Sequence, residues 1–133
     1  MKALRTILLL AATFLLAFAA LTSLTVDVPH LREDLLEISV RPTLLRAVMM
    51  GLNFGTFAML GFTALVLVAA IQSLRGIVAY RLPLSLIAIT FAAFGIFAFV
   101  KSGNHHTLAY LLIGILILGG AAIPDSGRGN RNP

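Results

Sequence analysis

The residues best suited to chemistry are the histidines His30, His105 and His106 and the carboxylates Asp27, Glu33 and Asp34. Imidazole and carboxylate together bind divalent metals, and imidazole changes charge in the physiological range. Their spacing argues against a site. No His-x-x-x-His pair occurs, and adjacent histidines in a turn point in different directions, so these residues read as polar loop. A second constellation is Asn53, Thr56 and Thr63, which share a face of a helix inside an otherwise apolar run. One carboxamide and two hydroxyls there form a thin polar seam, able to bond a neighbouring helix or to line a narrow permeation path. No Gly-x-Ser-x-Gly, His-Glu-x-x-His or phosphate-binding glycine loop is present, so no catalytic, cofactor-binding or metal-binding residue is assigned.

The elements that would hold such groups follow from composition. Of 133 residues, 59% are hydrophobic and 11% charged, with a mean hydropathy of +1.01. That is more apolar surface than one soluble domain can bury, and it points to an all-α integral membrane protein. A net charge of +5 would suit nucleic acid, but the ten Lys and Arg residues are scattered at segment ends, so no nucleic-acid partner is expected. Cysteine is absent, which excludes a disulfide scaffold and a thiol relay.

Four stretches lack Asp, Glu, Lys and Arg: 6–26, 47–74, 82–100 and 102–124. Each approaches or exceeds the roughly 20 helical residues that cross a hydrocarbon core of about 30 Å. The spacing predicts spans over about 5–26, 46–72, 82–101 and 107–123, packed as a four-helix bundle within a single domain, 1–124. Gly76 and Ser102-Gly103-Asn104 supply helix ends, and Pro83 suits a first turn. The tail 125–133 has nothing to pack and is expected to be disordered.

Between the first two spans, Leu31, Leu35 and Ile38 recur at helical spacing among Arg32, Glu33, Asp34 and Glu37, with Pro29 and Pro42 as brackets. This predicts a short amphipathic helix lying on the membrane in the first outer loop. The leader Met-Lys-Ala-Leu-Arg and Ala17-Phe18-Ala19 share features with a signal peptide, but the uncharged run continues to Val26, so a retained anchor is expected. Lys2, Arg5, Arg75, Arg81, Arg128 and Arg131 fall on one side of the four spans, and Arg32, Arg41, Arg46 and Lys101 on the other. The more basic side is expected in the cytoplasm, which places both termini inside the plasma (inner) membrane. Tyr80 and Tyr110 are placed as interfacial belt residues.

Packing is the strongest positive signal. Ala47, Gly51 and Gly55 form a small-residue stripe on the second span, and Ser85, Ala88, Ala92 and Gly95 form another on the third. Such stripes let helices approach closely in lipid, where no hydrophobic drive operates between them. Both are expected to pack within the bundle, so that a leucine at Gly51 or Gly55 would weaken it. In size and helix count the chain resembles the small multidrug antiporters, but none of its spans carries the intramembrane Glu that such proton coupling requires. It is similar in size to the four-helix fluoride channels without their glycine-arginine signature, and no histidine lies in a span to hold a haem. The expected function is therefore that of a non-enzymatic accessory or scaffold subunit, with the lipid bilayer and either itself or another membrane protein as partners and no cofactor. A small channel or carrier for a neutral or hydrophobic solute is the alternative.

Overall fold

The computed structural model describes residues 2–77 and 81–123 and contains no strand among them. Helix α1 (Lys2–Thr22) passes through one π turn (Ser23–Asp27) into α2 (Val28–Glu37). Helix α3 (Pro42–Leu74) follows a short turn, then α4 (Arg81–Ser102), and a 3-10 turn (His105–Thr107) opens α5 (Leu108–Ala122). Among the described residues four helices are long and apolar enough to cross a membrane: Ala3–Glu37, Pro42–Leu74, Arg81–Ser102 and His105–Ala122. Tyr80 and the tail 125–133 lie outside the described residues.

The amphipathic segment is helical, as its periodicity predicts, but it is not a separate helix laid across the end of the first. Thr22, Asp27 and Val28 all keep right-handed helical dihedrals, so residues 3–37 run as one helix. Pro29 therefore falls inside a helix rather than at its start. A proline ring crowds the carbonyl four residues earlier, here that of Thr25, and the wider π turn lies at that carbonyl. Val28 N–H donates to the Ser23 carbonyl across this turn.

Three helix ends close by the same device, a residue in the left-handed region. At Gly76 (φ 72°), Ile77 N–H donates to Gln72 O and Gly76 N–H to Ser73 O, the two bonds of a Schellman motif. At Gly103 (φ 64°) a single bond runs back to Phe99 O. The end of α2 has the Schellman pair Val40 N–H to Leu35 O and Ser39 N–H to Leu36 O, but its left-handed residue is Ser39 (φ 56°). A Cβ in that region is unfavourable by about 1 kcal/mol. Ser39→Gly should therefore raise stability by about 0.5 to 1 kcal/mol, read as a higher melting temperature in detergent. An unchanged or lower value would contradict the cap.

The chain divides into two compact units, Met1–Leu15 with Ala64–Pro133, and Leu16–Thr63. In the first, Leu9 and Ala12 of α1, Val66 and Ala70 of α3, Leu84 and Ala88 of α4, and Ile113 and Ile117 of α5 are buried. In the second, Leu16, Ala20 and Thr56 are the buried residues. This unit is a helical hairpin that reverses between Glu37 and Pro42.

Candidate functional site

The α4 stripe is where the first unit is tightest. Ala88 and Gly95 are buried, and Ser85 and Ala92 half-buried. A Cβ built on Gly95 would lie 2.5 Å from the Leu111 backbone nitrogen of α5. Opposite it, a Cβ on Gly114 would meet the Ala88 carbonyl oxygen and the Ala92 nitrogen, each at 2.7 Å. The two helices thus touch backbone to backbone, which only glycine permits. Tyr110, expected at an interface, is half-buried beside this contact, edge-on to Phe94 with centroids 5.2 Å apart and near-parallel to Phe91 at 6.4 Å.

In the same unit α1 contributes a polar cluster. Arg5, counted above among the basic residues that set the expected topology, is only 1% exposed. Next to it in sequence, Thr6 shares a hydrogen bond of 3.0 Å with Ser73 of α3, both hydroxyls being buried. Gly120 of α5 packs against this region, where a Cβ would meet Leu9 Cδ2 at 2.7 Å and approach the Arg5 carbonyl oxygen at 3.7 Å.

The α3 stripe is placed differently. Ala47, Gly51 and Gly55 are exposed, and a Cβ on either glycine would find no heavy atom within 4 Å. The polar seam divides. Asn53 is exposed, Thr56 is buried and Thr63 half-buried. Thr56 donates to Leu52 O at 3.0 Å and lies 3.3 Å from Ser23 Oγ, while Thr63 donates to Met59 O at 2.8 Å.

The histidines are not gathered. His30 Nδ1 donates to Val26 O, His105 stacks on Phe99, and His106 N–H donates to the Asn104 side chain that caps the 3-10 turn. Among the described residues no group of three His, Cys, Asp or Glu could hold a metal.

Sequence reasoning missed Gly114 and Gly120. Their only signal was that Gly114 and Ala121, seven residues apart, share a face that Gly120 borders, on a helix that is apolar on every side. Comparison with protein-family models, with curated proteins and with solved structures finds no match for this chain.

Proposed function

We propose that this chain is a multi-pass scaffold or accessory subunit of the plasma membrane, working through helix association and not through chemistry. The observation that carries this reading is the fate of its hydroxyls. Those of Thr13, Thr22, Thr25, Thr56, Thr63, Thr90 and Ser102 each donate to the carbonyl four residues earlier on their own helix. A hydroxyl bound in this way is little available to a permeating solute or a reacting group. The channel reading would need the Asn53–Thr63 seam as a continuous polar lining, whereas its two threonines are already bound to Leu52 and Met59.

Both termini are assigned to the cytoplasm on the basic residues. Reporter fusions after Arg75 and after Arg128 should report cytoplasm, and a fusion near Glu33 the outside. A fusion at Arg75 reporting the outside would invert the topology. The functional reading is tested by purification from native membranes, where a stoichiometric protein partner is expected, beside flux measured in proteoliposomes. Solute flux lost in Asn53→Leu without loss of folding would replace the scaffold with a channel.

A further inference from the structure

On the membrane reading above, the hairpin of α2 and the first half of α3 stands outside the hydrocarbon. Ser23 and Thr56 face each other at 3.3 Å, and antiparallel helices rise equally by about 1.5 Å per residue, so this rung sets the register. Allowing for the wider π turn, Asp27 stands about level with Leu52 or Asn53, and Arg32 with Ala47 or Val48. The segment 47–52, apolar enough to have been placed within a span, is thus level with the charged stretch Asp27–Arg32. The hairpin continues about 18 Å beyond Asp27 before it reverses.

This hairpin has no core of its own. From residue 24 to residue 55 no side chain is buried. Val28, Leu35, Leu45 and Val48 are half-buried, whereas Ile38 is 71% and Met50 76% exposed, and Leu36 and Leu44 are more than half exposed. Helices in water depend on burying an apolar face, and pieces shorter than about 40 residues usually need a disulfide, a metal or association. There is no cysteine, and no metal-binding group among the described residues. Continuity with the longer helices holds both arms at their base, and association is what would cover the apolar side chains beyond it.

Charge indicates the partner. The α2 arm carries Asp27, Glu33, Asp34 and Glu37 against Arg32, and the facing arm carries Arg41 and Arg46 with no acid before Leu74. Among the described residues no ion pair joins the two arms. A surface with one acidic and one basic arm is complementary to itself about a two-fold axis. We propose that a second copy of this chain docks here, the acidic arm of each hairpin against the basic arm of the other, closing a four-helix bundle outside the hydrocarbon. This rests on the scaffold reading and names its partner.

Sedimentation equilibrium of the full chain in density-matched detergent tests it. The wild type should be a dimer. R41E/R46E and E33R/E37R should each dissociate at least about tenfold more readily, because like charges then face one another. An equimolar mixture of the two variants should restore the dimer, which also shows that both are folded. Phe14→Ala, on the lipid-facing side of α1, should leave the dimer unchanged. A monomeric wild type, or a dimer insensitive to both charge reversals, overturns the proposal. So does a monomer whose Met50→Cys label is shielded from an aqueous quencher in bilayers, since lipid then covers the face. A monomer that still co-purifies with a different protein would sink the dimer and leave the accessory reading standing, whereas a monomer with no partner at all would sink both.

Discussion

Gly95→Leu and Gly114→Leu should each destabilise the protein by about 3 kcal/mol or more, the largest effect of any single change considered. The obstacle at each is backbone, since Leu111 N and Cα oppose Gly95 while Ala88 O and Ala92 N oppose Gly114. A flexible side chain can rotate away from a new methyl group, but a helix backbone must move as a whole and lose many small contacts. Gly51→Leu and Gly55→Leu, by contrast, should leave the stability of the monomer within about 0.5 kcal/mol, because open space surrounds both. This reverses the order expected from spacing alone. Thermal or denaturant unfolding of the four variants in one detergent checks it, and a stable Gly114→Leu protein would show that α4 and α5 do not make this contact.

Leu9→Ala and Ile117→Ala should cost about 2 to 4 kcal/mol each. Both side chains are fully enclosed in the first unit, and the neighbours of each are helices unable to collapse into the space left. Leu112→Ala, on the outer side of α5 and half exposed, should change stability by less than about 1 kcal/mol, because a shortened side chain facing lipid or detergent leaves no cavity. Equal losses at Ile117 and Leu112 would mean that α5 is not packed as described.

Much of the helical layout is legible in the residues. Charge-free runs locate all four long helices, and Gly76 and Gly103 mark two of their ends because only a residue free of a Cβ enters the left-handed region without cost. The third end is not legible, since nothing about Ser39 announces that conformation. Pro29 misleads for a related reason. A proline usually starts or ends a helix, and the π turn that accommodates it leaves no mark in composition. The site divides in the same way. Ala88, Ala92 and Gly95 lie against α5, whereas a Cβ on Gly51 or Gly55, spaced in the same way, would meet nothing within 4 Å. On an apolar helix spacing shows which residues share a face, but every face is equally apolar, so periodicity carries no contrast to tell an inward stripe from an outward one. Arg5 shows the converse, a basic residue near a helix start that reads as a surface charge and is enclosed.

The backbone contact between α4 and α5 also bears on the order in which the protein assembles. Gly95, Gly114, Ala88 and Ala92 have no rotamers to lose, so this contact forms without the side-chain ordering cost of up to about 2 kcal/mol that a Lys, Met or Gln incurs. It is also close in sequence, with only Gly103, Asn104 and the 3-10 turn between the two helices. The pair therefore has little entropy to lose and should join early in folding, ahead of the contacts of α5 with the sequence-distant α1.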